Sequence, residues 1–205
     1  MNKAKNAVIA FGAAFALAAG GTAGAAAFRA SPRQTAAVEI HIDGPAARAE
    51  QSAKPRKRVL QKFTTEFSPD AANRNHNITL AAKAINGVAV RPGEVFSYNE
   101  TVGPTSKARG YKLSQIFKNG RKLKGYGGGV CQVSSTLYNA VDAAGMQIVE
   151  RHPHSRKVSY VPPGRDAATS YGSSDFKFKN TQPYPIVIEA ATTASSVTVT
   201  ISAAA

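Results

Sequence analysis

The sequence predicts an α+β fold: short helices packed on a mostly antiparallel sheet, forming a single compact domain behind an N-terminal export or anchor segment. Three features of the 205-residue chain lead there. Helix patterns lie between Ser68 and Gly145, β-prone runs follow Gly145, and an uncharged stretch from Ala7 to Phe28 sets the N-terminus apart. The chain divides accordingly into residues 1–28, a basic linker or arm over 29–59, and a domain over 60–205.

Lys3 and Lys5 supply a short basic start, and Ala25-Ala26-Ala27 offers the small-residue pattern that a signal peptidase accepts. The uncharged stretch also reaches the ~20 residues needed to span a bilayer. Its Ala and Gly content makes it a weak anchor. Cleaved signal and retained anchor both stay open, and either places the rest outside the cytoplasmic membrane. If uncleaved, residues 7–28 hold the chain to that membrane. In the arm, Val38 to Ile42 alternates like a short strand, closed by Asp43-Gly44-Pro45. The cluster Lys54-Pro55-Arg56-Lys57-Arg58 suits an anionic membrane surface or a solvated tether.

Within the domain, Leu60 to Phe67 reads as a strand. Ser68-Pro69-Asp70 reads as a helix start with Ser68 as cap. The helix runs through Ile78, Leu80, Ala81, Ala84 and Ile85 and stops at Gly87. Val88 to Val90 precedes a turn at Arg91-Pro92-Gly93, and Val95 to Tyr98 is extended. Residues 99–126 read as loop, punctuated by Gly103-Pro104, Gly110, Asn119-Gly120 and Gly125. After Cys131, the residues Val133, Leu137, Ala140, Val141 and Ala144 make one apolar helical stripe, ended by Gly145. Short β-prone runs follow at Gln147–Arg151, Val158–Val161, Phe176–Lys179, Ile186–Glu189 and Val197–Ile201.

The net charge of +14 and the pI of about 10.1 would suit nucleic acid, but the export pattern argues against that partner. Outside the membrane the anionic partners are lipid headgroups, teichoic-acid-like polymers and the carboxylates of peptidoglycan stem peptides. A purely solubilising role for the lysines is the plain alternative. One cysteine excludes an intrachain disulfide, and a domain of this length builds its core without one.

That cysteine, Cys131, follows Gly127-Gly128-Gly129-Val130 and precedes Gln132-Val133-Ser134-Ser135. A glycine run entering a helix places the thiol among free N–H groups and a partial positive charge. Both favour the thiolate, the nucleophilic form. His152 or His154 is the candidate base and Asp166 the candidate orienting carboxylate. A lone cysteine is also an ordinary small core residue.

Several blocks in unbroken order then resemble one family. They are Asn73-Arg74-Asn75-His76-Asn77-Ile78, Pro92-Gly93-Glu94-Val95-Phe96-Ser97, and Gly127 to Tyr138 followed by Asn139-Ala140. Further blocks are Glu150-Arg151-His152-Pro153-His154-Ser155, Ser159 to Ala167, and Asp175-Phe176-Lys177-Phe178-Lys179-Asn180. Together they resemble the VanW family over roughly Phe63 to Ile188. The resemblance implies an exported bacterial cell-envelope accessory protein that binds or processes peptidoglycan or its lipid-linked precursors. It implies location and context rather than a reaction.

Two chemistries fit the residues. In the first, Cys131 is the nucleophile of an amidase or acyl transferase acting on peptidoglycan stem peptides, with His152 or His154 as general base and Asp166 as its orienter. The Cys131 N–H, with the Gln132 amide, would hold the oxyanion. In the second, the same region only binds. Gly127, Gly128 and Gly129, with Gln132 and Ser134 at the helix start, make an anion-binding arrangement. Arg151 and Arg165 would clamp a carboxylate beside Tyr160. The plain alternative is a tight turn with a local Arg165–Asp166 ion pair. Tyr138, Tyr160 and Tyr171 line a groove or fill core. His41 and His76 read as surface or capping residues. No cofactor is expected, and no metal either: His152, His154 and Cys131 lack an evident fourth ligand for zinc.

Overall fold

The computed structural model describes residues 57–118 and 121–204. The export or anchor stretch, the Val38–Ile42 run, His41, the arm as far as Arg56 and the Asn119-Gly120 turn lie outside the described residues. Among the described residues, no helix is long and apolar enough to cross a membrane.

The main sheet has four antiparallel strands in the order β1-β9-β8-β2. These are β1 (Arg58–Glu66), β9 (Ser196–Ala203), β8 (Ile186–Thr192) and β2 (Val88–Val90). Two helices pack on it, α1 (Ala72–Ile85) and α3 (Val130–Ala143), and they also touch each other. The strand alternation is clean in β9, where Val197, Val199 and Ile201 are buried and the residues between them are half-buried. From β8, Ile186 and Ile188 add to that face. Ile78, Ala81, Ala82 and Ile85 of α1 and Val133, Leu137, Ala140 and Val141 of α3 close over it. Each fully buried Ile or Leu here contributes ~1.5–3 kcal/mol.

A second sheet, β3-β7-β6, is built from Val95–Ser97, Lys177–Lys179 and Gln147–Glu150. Its buried face carries Phe178, stacked on Phe96 at 5.2 Å between ring centroids and 6.2 Å from Phe176. Phe178 is fully buried. Phe178→Ala is expected to cost about 3–5 kcal/mol. Urea unfolding that showed a fall in the midpoint below about 1 kcal/mol of equivalent stability would contradict this packing account.

The mixed α+β class stands, with three differences from the sequence expectation. The Ser68-Pro69 pair makes a turn rather than a helix start. Ser68 Oγ accepts from the Asp70 N–H at 3.3 Å, and α1 begins only at Ala72, without a side-chain cap. Asn75 reaches back to the Ser68 and Pro69 carbonyls at 2.8 and 3.1 Å, which satisfies the turn.

Residues 99–126 are not mainly loop. They hold α2 (Tyr98–Val102), a 3₁₀ turn at Lys107–Arg109, and a hairpin of β4 (Leu113–Lys118) and β5 (Arg121–Tyr126). The hairpin pairs with no other described strand, and Leu113, Phe117 and Leu123 stay exposed on it. Conversely, Val158–Val161 is not a strand: it runs as an irregular loop past the site described next.

Candidate functional site

The start of α3 is held by backbone geometry that only glycine supplies. Gly129 caps the helix at φ 108°, and a Cβ there would lie 2.9 Å from Arg74 Cγ and 2.9 Å from Ile78 Cγ1 of α1. The helix therefore starts against α1 with no side chain between them. At Gly128, a Cβ would collide with the Gln115 carbonyl oxygen of β4. Asn77 ties the three segments together, donating to the Gly128 and Lys112 carbonyls at 3.1 and 3.0 Å and accepting from the Lys112 N–H at 2.8 Å. From α2, the buried Tyr98 hydroxyl donates to the Val130 carbonyl at 3.0 Å.

Cys131 sits in the first turn, half-buried and open to a cleft of about 410 Å³. Gly129 caps without a side-chain hydrogen bond, and the Val130 and Gln132 N–H groups donate to the Gly127 and Gly129 carbonyls at 3.1 and 2.9 Å. The sulfur lies 3.3 Å from the Thr169 carbonyl, to which a thiol donates, and 3.5 Å from the Thr169 N–H, which donates to a thiolate.

The imidazole of His154 lines the same cleft as the Cys131 sulfur, and the two groups are close enough to act on each other's charge. Its Nδ1 is 2.6 Å from Asp166 Oδ2, and the same oxygen accepts the His154 backbone N–H at 2.6 Å. Nε2 is then the nitrogen left to face the sulfur, with the Tyr160 hydroxyl 3.4 Å away. Asp166 is fixed in turn by Arg151, whose guanidinium donates to Oδ1 at 3.0 Å and to the Asp166 backbone carbonyl at 2.6 Å.

The electrostatics follow from these contacts. Burial alone would push the Cys131 thiol up, but the His154 hydrogen bond, the Thr169 backbone and the imidazole charge outweigh it, and the thiol falls below its ordinary value. Burial alone would lower His154, but the sulfur and then Asp166 raise it above its ordinary value. Burial would raise the Asp166 carboxyl, but the His154 backbone and side chain hold it low. The three shifts favour one charge state: thiolate, imidazolium and carboxylate.

The two histidines of the sequence motif diverge. Two residues apart around Pro153, they face different surroundings. The His154 side chain is 10% exposed beside Asp166, whereas that of His152 is 43% exposed and pairs with Glu150 Oε1 at 2.9 Å. Glu150 also takes Lys177 Nζ at 2.9 Å, and the lysine, then His152, brings its carboxyl down to about 2. His152 belongs to that surface cluster, away from the thiol.

Other residues named from the sequence have internal partners. Arg165 pairs with Asp142 at 2.8 Å and donates to Asn139 Oδ1 at 2.8 Å, so neither a carboxylate clamp with Arg151 nor an Arg165–Asp166 pair forms. Both guanidinium groups lie over the Tyr138 ring, at 5.3 and 4.9 Å from its centroid. Ser134 Oγ donates to the Ala167 carbonyl at 2.7 Å, and Ser135 Oγ accepts the Ala167 N–H at 2.9 Å. These hydroxyls stitch α3 to the segment that carries Asp166. The buried Gln132 side chain donates to Thr65 Oγ1 and the Glu66 carbonyl, both at 2.9 Å, and accepts from Arg74 at 2.6 Å. Its amide is fully used and does not serve an oxyanion. Tyr160 and Tyr171 line the cleft, and Tyr138 is core. His76 takes the Gly110 carbonyl at 2.9 Å. Among the described residues, no group of three His, Cys, Asp or Glu side chains is arranged to hold a metal ion.

The VanW-like protein family model matches residues 73–202, which contain every member of this constellation. The chain belongs to the VanW family. Among curated relatives, it is 49% identical over 142 residues to the uncharacterized protein YoaR of Bacillus subtilis strain 168, covering 69% of this chain and 47% of that protein. It is 34% identical over 113 residues to the vancomycin B-type resistance protein VanW of Enterococcus faecalis V583, covering 53% of this chain and 41% of that one. The chain therefore spans less than half the length of either VanW relative. No solved structure matches it significantly. Of the cleft, the sequence reading of the VanW domain missed Arg74 and Thr169. A signal for Arg74 exists: it stands four residues before the buried Ile78 and so shares the inward face of α1.

Proposed function

We propose that this domain is a cysteine-dependent amide hydrolase or acyl transferase of the cell envelope, acting on the stem peptides of peptidoglycan. The observation that carries this reading is that Cys131 and His154 line one cleft while His154 Nδ1 is held by Asp166 at 2.6 Å, which leaves Nε2 to serve the sulfur. A buried structural cysteine has no use for an oriented imidazole behind it. The other reading, a binding module, keeps the glycine run and helix start but not an Arg151–Arg165 clamp, because both guanidinium groups face internal carboxylates. The envelope assignment rests on the export pattern of residues 1–28 and on the resistance protein among the relatives.

The chemistry follows from the charge state. The Cys131 thiolate attacks the amide carbonyl carbon, forming the C–S bond and moving the carbonyl electron pair onto oxygen. The Cys131 N–H, in the first turn of α3, would serve as a donor for that oxyanion. On collapse the C–N bond breaks, and the imidazolium of His154 gives its proton to the departing amine. The product is a thioester on Cys131. Water, or an amine from a second peptide, then attacks it. His154 takes the proton of that nucleophile, and the thiolate leaves. Asp166 is a positioning residue throughout, holding Nδ1–H so that Nε2 faces the sulfur.

The test uses the full chain with muropeptides bearing free stem peptides. Mass spectrometry is expected to find a shortened or exchanged peptide and a hydroxylamine-sensitive adduct on the protein, both lost in Cys131→Ala. Unchanged peptides together with an unmodified wild-type protein would sink the proposal.

A further inference from the structure

Among the described residues, the cleft beside Cys131 has one permanent charge: of the side chains that line it, Arg74 is the sole lysine or arginine, and no aspartate or glutamate is among them. Arg74 is half-buried on α1, and its hydrogen bond goes to a neutral partner, Gln132 Oε1, at 2.6 Å. Gln132 is itself pinned by Thr65 and Glu66, so it positions the guanidinium without cancelling its charge. The other arginines around the site contrast with this. Arg151 and Arg165 each face a carboxylate within 3.0 Å. Arg109 turns away to the Val102 carbonyl at 2.8 Å. Arg74 is also close enough to the sulfur for the two charges to act on each other. A guanidinium offers five donors, and one is used here. Withdrawing such a group from water without an anionic partner is costly unless a ligand supplies the anion.

We infer that Arg74 receives a carboxylate of the substrate, so that the site selects acyl compounds carrying a free carboxylate near the amide that Cys131 attacks. Resting on the nucleophile reading above, this inference deepens it by naming what the cleft recognises. The planar fork of Arg74 forms paired N–H···O bonds with the carboxylate. Neutral, amidated versions of the same peptide leave the guanidinium unpaired and bind poorly. The exposed aromatics at the rim, Phe117 and Tyr171, remain to pack along the rest of the peptide.

Two small alkylating agents of different charge separate the claims. The full chain is treated with iodoacetate and with iodoacetamide at low ionic strength, at a pH where the thiol is already ionised. The ratio of the two rates cancels the thiolate content. In the wild type that ratio is expected to exceed the ratio for free glutathione. Arg74→Gln should lower it about fivefold or more, since an unscreened unit charge acts strongly at such range. Arg74→Lys, which keeps the charge, should hold it above the glutathione value. A wild-type ratio equal to that of glutathione and unmoved in Arg74→Gln overturns the inference while leaving the nucleophile intact.

Titration with N-acetyl-D-alanine, followed through the Arg74 Nε–H resonance, gives a readout independent of sulfur chemistry. A saturable shift that is absent with the amide analogue supports carboxylate recognition even if Cys131 proves unreactive. No shift up to ~10 mM, about tenfold above a weak Kd of ~1 mM, counts against it.

Discussion

His154→Ala should slow alkylation of Cys131 by tenfold or more at pH 6 and move the midpoint of its pH profile up toward the ordinary thiol value of ~8.5. The wild-type sulfur ionises early because the imidazole holds its proton beside it; without the ring, only the Thr169 contacts oppose burial, which pushes the other way. Thiol and imidazole interact strongly, so the profile reports the pair rather than either group. His152→Ala is the matched comparison. Its ring bonds Glu150 on the surface, so its removal should leave the Cys131 profile where it was. Equal shifts in both variants, or none in either, would refute the assignment of His154. Iodoacetamide kinetics with intact-mass detection suffice.

Asp166→Ala should remove about 3–5 kcal/mol of folding stability, the range for leaving a buried charge without its partner. The His154 backbone N–H and His154 Nδ1 lose their acceptor, and the Arg151 guanidinium loses its carboxylate and keeps only the residue 166 backbone carbonyl. The same contacts fix the pH dependence. Asp166 has a depressed folded pKa, so its contribution is present above the unfolded carboxylate value of about 3.9 and fades as the pH falls through the folded one. His154 is raised, so its contribution is complete below the unfolded value of about 6.5 and fades as the pH rises through the folded one. The wild type should therefore gain most over Asp166→Ala between about pH 4 and 6.5. Urea midpoints across that range check it. A difference that grew steadily toward pH 9 would contradict the account.

The parts of the fold that were legible in sequence are those where one period dominates. The alternation in β9 buries one face, and the apolar stripe of α3 marks its core side although residues 132–141 are buried all round; both elements follow from spacing. The β4–β5 hairpin was not, because its strands mix Leu113, Phe117 and Leu123 with Gln and Lys, and neither face is cleared of one kind of residue. Val158–Val161 has strand composition but pairs with nothing; Val158 and Tyr160 serve the cleft wall instead. At the site, residue types announced a thiol, an imidazole and a carboxylate. Which histidine turns inward depends on the Asp166 loop reaching the His154 backbone, a contact across 12 residues that no local pattern encodes. The polar face of α3 misled in the same way. Gln132 and Ser134 looked available to a ligand, but their partners come from β1 and from the segment at Ala167.

The pairing of β1 with β9 also sets an order of events. Thr64 and Thr198 bond across that ladder at 2.8 Å although 134 residues separate them in the chain. Because α3 rests on both strands, the surface beneath Cys131 is complete only when β9 arrives. Closing so long a loop is slow. A chain synthesised only as far as β8 thus carries the cysteine without its finished support.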